Sequence, residues 1–238
     1  MTLRSYFRWL CESAGGRPSP FDGLRLDLKI PQRLPRPIDR PTLSALFKSS
    51  RHLVELDVER SPSLLSTYSP EQITGLVARL LVVTGMRIGE ITGLRVGDVS
   101  GAGSQIRVQG KGARERTVYV TNRRLLDDFR IFWEARYRNC GPACPLFLNS
   151  RGMRLSEAAF RKRLRAISKS LLIEPHLTPH RFRHSAATLL IEEGVDIRIV
   201  PRLLGHASIS TTELCTKVSD NSLVAAIERA DTLAQVDS

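Results

Sequence analysis

The apolar positions of this chain recur mostly at helical spacing. Leu3, Tyr6, Phe7 and Leu10 fall three and four apart, which predicts a helix over 2–12 with one apolar face. Pro18, Pro20, Pro31, Pro35, Pro37 and Pro41 follow, with Arg and Lys between them. Proline donates to neither a helix nor a sheet ladder, so 15–41 reads as a linker. Pro41 to Lys48 opens a short helix. Ser69-Pro70-Glu71 is a start signal, with Ser as N-cap and Pro at the first helical position. Ile73, Leu76, Val77, Leu80 and Leu81 then form an apolar face that ends at Thr84-Gly85. Arg87 to Leu94 predicts the next helix.

The period then changes to two. Ser104 to Val108 and Arg116 to Val120 alternate as strands, and Gly110-Lys111-Gly112 between them marks a hairpin tip. Leu125 to Tyr137 is amphipathic, and Pro145 to Leu148 is expected as a third strand. Helices are expected near 156–171, 179–193, 196–204, 208–217 and 220–234. The class is α+β, mainly helical, with one small antiparallel sheet.

Charge narrows the function. Thirty-six Lys and Arg against 24 Asp and Glu leave the 238-residue chain at +12. Such a surplus points to a polyanionic partner, and nucleic acid is the commonest. No apolar run approaches the ~20 residues of a membrane span, and MTLRSYFRWLCES lacks the features of a secretory signal. Cys11, Cys140, Cys144 and Cys215 have no framework spacing, which suits a reducing cytoplasm or nucleoid.

The cationic chemistry concentrates in four short contexts: TGMRIGE around Arg87, GKGARER around Lys111, TPHRFRH around His180 and Arg183, and LLGHASIS around His206. Thr178 and Pro179 place His180 and Arg183 in the first turn of a helix, on one face. Cations are unfavourable there unless an anion joins them, because the helix dipole is already positive. A zinc pair at His180 and His184 fits poorly: Arg181 and Arg183 flank them, no Glu is interleaved and no third ligand is evident. No metal or cofactor is expected.

The order of these motifs, with Arg87 and Lys111 24 residues apart and His206 and Cys215 nine apart, resembles the tyrosine recombinases, the phage-integrase family. The resemblance covers roughly residues 38–220. It implies a catalytic domain over 38–238, preceded in 1–37 by the last helix of a truncated core-binding domain and its Pro-rich linker. It implies that Arg87, Arg183 and His206 hold a scissile phosphate while Glu90 helps to hold the site in place. Lys111 would protonate the departing 5′ oxygen, and His180 would serve in acid–base and positioning roles. Arg114, Arg116, Arg161, Arg163, Thr178 and Arg181 are expected to add contacts to duplex DNA.

The family's nucleophile is a tyrosine, and position 215 holds cysteine. Two accounts stand side by side. Cys215 is itself the nucleophile, activated by neighbouring cations; or it is a natural or engineered inactivating change that leaves a DNA-binding homologue, one that occupies recombination sites or modulates an intact recombinase. Thiolate is soft and phosphorus hard, and a sulfur reaches less far than a phenol oxygen, so strand cleavage is expected to be reduced or absent. Leu223, Val224, Ile227, Ala230 and Leu233 give the last helix an apolar face, which either docks into a second copy on DNA or packs on its own domain.

Overall fold

The computed structural model describes residues 3–13, 15, 19–22, 37–51, 68–110, 115–196, 200, 204, 225 and 227–230. The chain divides into two units, Met1–Leu34 and Pro35–Ser238. In the first, α1 (Leu3–Ser13) sets Phe7 edge-on against Phe21, ring centroids 5.4 Å apart. Tyr6 and Trp9 stay exposed, since one helix and one turn bury little.

The second unit carries α2 (Arg40–Arg51), α3 (Pro70–Thr84) and α4 (Ile88–Gly93). A 3-10 turn over Val96–Asp98 leads into β1 (Val99–Ser100), and a second over Gly101–Gly103 into β2 (Gln105–Gln109). β3 (Glu115–Tyr119), α5 (Arg123–Asn139), α6 (Glu157–Ser170) and α7 (Pro179–Glu192) follow. Most starts are capped by their own sequence. Ser69 and Gln72 exchange bonds at the head of α3, and Asn122, Ser156 and Thr178 cap α5, α6 and α7.

Helix α3 is the hub. Its apolar stripe understates its burial, because every residue from Gln72 to Thr84 is buried. It packs against α2, α5, α6 and α7, so no face is left for water. Arg79 is the charged residue inside this helix. Its Nη1 donates to Asp128 of α5 at 2.9 Å and its Nη2 to the Phe47 carbonyl at 3.3 Å, with the guanidinium 5.5 Å from the Phe47 ring. Three helices are thereby tied through one cation. A second buried cluster joins Ala186 and Leu190 of α7 to Val195, Val200, Leu204 and Ala230.

The sheet is antiparallel in the order β1-β2-β3, with Ile106 opposite Val118 and Gln109 opposite Glu115. Its third strand is not the one expected. Pro145 to Leu148 makes only single bridges, Pro145 to Arg95 and Leu148 to Arg154. Pro145 has no N–H to donate, and the neighbouring groups make only isolated bonds, Leu146 N to the distant Leu94 O at 2.9 Å and Leu155 N to Phe147 O at 2.9 Å. Val99–Ser100 takes the third place instead, returned by the tight Gly101–Gly103 turn. Of the helix expected near 196–204, Val200 and Leu204 are described, both helical and buried. The helix expected near 208–217 lies outside the described residues. At the C-terminal helix, Ala225 and residues 227–230 are helical, and Ala230 packs into this domain's own second cluster. Among the described residues no helix is long and apolar enough to cross a membrane.

Gly85 closes α3 in the left-handed region, φ +59°, with its N–H bonded to Leu81 O at 3.0 Å. A Cβ there would lie 1.9 Å from Leu204 Cδ2. Gly85→Ala is therefore expected to cost about 1–2 kcal/mol from backbone strain alone, lowering Tm by roughly 2–4 °C per kcal/mol in a domain of this size. Gly141→Ala, which meets nothing within 4 Å, is the control and leaves Tm unchanged. Thermal melts of the two variants check this.

Candidate active site

The site is built where α3 hands the chain to α4. Arg87 is the N-cap of α4, in extended conformation, and Glu90 sits three residues on, inside the first turn. Glu90 Oε2 accepts the Arg87 backbone N–H at 2.7 Å, and Oε1 accepts Arg87 Nη1 at 3.1 Å. Arg116 reaches the same carboxylate from β3, with Nη1 to Oε1 at 3.0 Å and Nη2 to Oε2 at 2.9 Å. The Glu90 side chain is 8% exposed, Arg116 19% and Arg87 46%. Burial alone would raise the Glu90 carboxyl's pKa. The hydrogen bonds from Arg116 and from the Arg87 backbone reverse that, and hold it below the usual carboxylate range.

Arg183 arrives from α7. The Thr178 cap and Pro179 start that helix as the sequence predicts, and the half-buried Arg183 side chain turns inward. Its Nη1 donates to the Gly85 carbonyl and its Nη2 to the Leu204 carbonyl at 2.5 Å. Burial first, and then the neighbouring charge of Arg87, lower the Arg183 pKa to about 10. The guanidinium stays charged at neutral pH, in an environment that disfavours its charge. Arg183 thus lies close enough to Arg87 for the two charges to repel, and an oxyanion between them would lower the energy of both.

The remaining expected residues divide three ways. His180 is exposed in the first turn of α7, beside the cap Thr178. Arg161 is exposed and paired with Glu157 at 2.9 Å, and Arg163 makes a long 3.5 Å contact to the Pro70 carbonyl. Arg181 is buried rather than outward: its Nη1 donates to the Pro175 and His176 carbonyls, so it holds the loop that enters α7. Lys111, Arg114, His206 and Cys215 lie outside the described residues. The structure thus gathers Arg87, Glu90, Arg116 and Arg183. The Glu90–Arg116 pairing was missed because 26 residues separate the partners, and nothing local in GKGARER signals it. Among the described residues no three His, Cys, Asp or Glu side chains gather as a metal site would require.

A depressed carboxylate pKa is a stability term. Glu90's contribution is present above the pKa of an unfolded glutamate, about 4.3, and is lost as pH falls through its lower folded value. Glu90→Gln is expected to cost about 1.5–3 kcal/mol at pH 7, as bonds to a charged group do. The cost should shrink as the pH falls from about 5 toward 2. Urea melts of both chains across that range check the sign: a difference that grows on acidification would contradict it.

Comparison with known proteins agrees with this geometry. The sequence profile described as "Phage integrase family" matches residues 55–222. Tyrosine recombinase XerC of Pelobacter propionicus is 35% identical over 179 residues, which cover 74% of this chain; the chain spans 59% of that relative's length. Tyrosine recombinase XerD of Lacticaseibacillus casei is 31% identical over 225 residues, covering 94% of this chain and 72% of its own. Among solved structures, XerA recombinase matches with TM-score 0.58 at 24% identity, over 81% of this chain and 64% of that one. A lambda integrase tetramer bound to a Holliday junction matches with TM-score 0.58 at 16% identity, over 90% of this chain and 59% of that one. The two structures share the fold, and the sequence matches extend the likeness through most of the second unit: the chain belongs to the phage integrase family of tyrosine recombinases.

Proposed function

We propose that this chain is the catalytic domain of a site-specific DNA recombinase that grips one backbone phosphate between Arg87 and Arg183. The observation that carries this reading is the approach of Arg183, bonded to the Gly85 carbonyl, to the charge of Arg87, which together with burial lowers the Arg183 pKa to about 10. Guanidinium matches two phosphate oxygens at once and keeps its charge. As an in-line attack builds charge on phosphorus, both groups gain interaction with it, which is transition-state stabilisation. His206 would complete the phosphate grip, Lys111 and His180 would move protons, and position 215 would attack to leave a covalent 3′-phosphoryl-enzyme. The likeness to XerC and XerD supports this chemistry, and no step requires metal or ATP.

Cysteine at position 215 favours a second reading of the same site. A sulfur extends several ångströms less than a phenol oxygen, while attack needs the reacting atoms within about 3–3.5 Å. Cleavage is then slow or absent, and the chain serves as a DNA-binding homologue at recombination sites, alone or beside an intact recombinase. A DNA-binding role suits the +12 charge. Residues 1–37 would be the end of a core-binding segment. An oligomer formed through the C-terminal helix would exchange that helix between copies, since Ala230 packs on its own domain.

Covalent trapping on nicked suicide DNA, drawn from the sequence flanking the native gene, tests both readings. The expected result is a weak or absent adduct with the native chain and a clear adduct with Cys215→Tyr, lost again when Arg87→Ala or Arg183→Ala is added. An adduct mapped to Cys215 makes the cysteine a working nucleophile. In parallel, the slope of log K against log salt should be steep, and each arginine removed should flatten it by about 0.9. A flat line would remove the DNA reading.

A further inference from the structure

Resting on the phosphate-grip reading, we infer that Arg116 is a positioning residue, which acts on the phosphate only through Glu90 and Arg87. Glu90 has room for about four hydrogen bonds, and four are made: two from Arg116 Nη atoms at 2.9 and 3.0 Å, one from the Arg87 backbone at 2.7 Å and one from Arg87 Nη1 at 3.1 Å. A carboxylate so filled neither takes a proton nor holds a metal at neutral pH. Its part is structural, and Arg116 decides how its charge is spent.

The two arginines share Glu90 unequally. Arg116 grips both oxygens with both terminal nitrogens and is mostly buried, so it takes up most of the carboxylate's charge. Its Nε is buried with no hydrogen-bond partner among the described residues. Arg87 reaches one of those oxygens through one nitrogen, at the longer distance of 3.1 Å, from a position 46% exposed. Without Arg116, Glu90 would pair with Arg87 alone and cancel the charge that a phosphate needs. With Arg116 in place, Arg87 is oriented by the carboxylate but not neutralised by it.

Arg116 also ties two elements together. It lies opposite Val108 in the β2–β3 register, near the base of the hairpin whose connecting sequence contains Lys111. Through Glu90 that base is fastened to the first turn of α4, which carries Arg87. The bidentate pair is thus a direct polar link between the base of the hairpin and the turn that carries Arg87.

A double-mutant cycle on binding to a random-sequence duplex oligonucleotide tests this, with Arg116→Gln, Arg87→Ala and the double variant, each confirmed folded by circular dichroism. Coupled neighbours predict that Arg116→Gln weakens binding on the order of tenfold in the parent chain, and less than about twofold once Arg87 is already alanine. Equal losses in both backgrounds, with a further drop in salt slope, would mean that Arg116 touches phosphate directly and would overturn the inference. A second readout needs no DNA: the Glu90 carboxyl, followed by carbon-13 NMR through an acid titration. Its midpoint should rise toward the ordinary value in Arg116→Gln and less in Arg116→Lys, which keeps the charge but grips one oxygen. An unmoved midpoint would overturn the clamp. If the unaltered chain binds no duplex at all, the function reading fails, and the Glu90 midpoint still decides the clamp.

Discussion

A single buried carboxylate sets the geometry on which the cationic site depends. Glu90 joins the start of α4 to β3 through four hydrogen bonds. Burying such a group costs several kcal/mol unless its partners are well placed, so the arrangement persists only because Arg116 and Arg87 fill it. The consequence is directional. Arg116 takes both carboxylate oxygens from the buried side, while Arg87 shares one of them from a half-exposed position.

What holds that corner still is the central helix. α3 is buried along nearly its whole length and carries no freedom to shift, because α2, α5, α6 and α7 close on it from all sides. Its end is therefore a fixed point. Gly85 turns the chain there, its carbonyl receives Arg183, and Arg87 follows two residues later. Arg79 reinforces the same helix from its middle, trading one desolvated cation for bonds to α2 and α5. The precision of the site is thus a property of the core, since a close-packed interior passes little motion to its ends.

Much of this was readable in advance, and the reasons differ by element. Caps are local chemistry, so Ser69 and Thr178 announced their helices within a residue or so. The hairpin was legible because alternation of Ile106, Val108, Val118 and Val120 is a two-residue rhythm with glycines between. The third strand was not, since two residues are too short to show any rhythm, while Pro145 to Leu148 imitated one. At the site, Arg87 and Arg183 stood out through motif order. Arg116 and Arg181 looked alike as basic residues near DNA-facing motifs, yet one clamps a carboxylate and the other fills a loop's carbonyls. Only the long-range fold separates them, because composition says nothing of where a guanidinium points.

The reach of Arg183 has a further meaning for how the protein comes into being. Its two carbonyl partners are 98 residues behind it and 21 ahead. The Glu90 corner can close once residue 116 has emerged, whereas the Arg183 bridge needs the chain through residue 204. A nascent chain halted just before that point carries Arg183 with one of its two carbonyl partners still missing. Synthesis order therefore places this long-range bridge among the last parts of the domain to form.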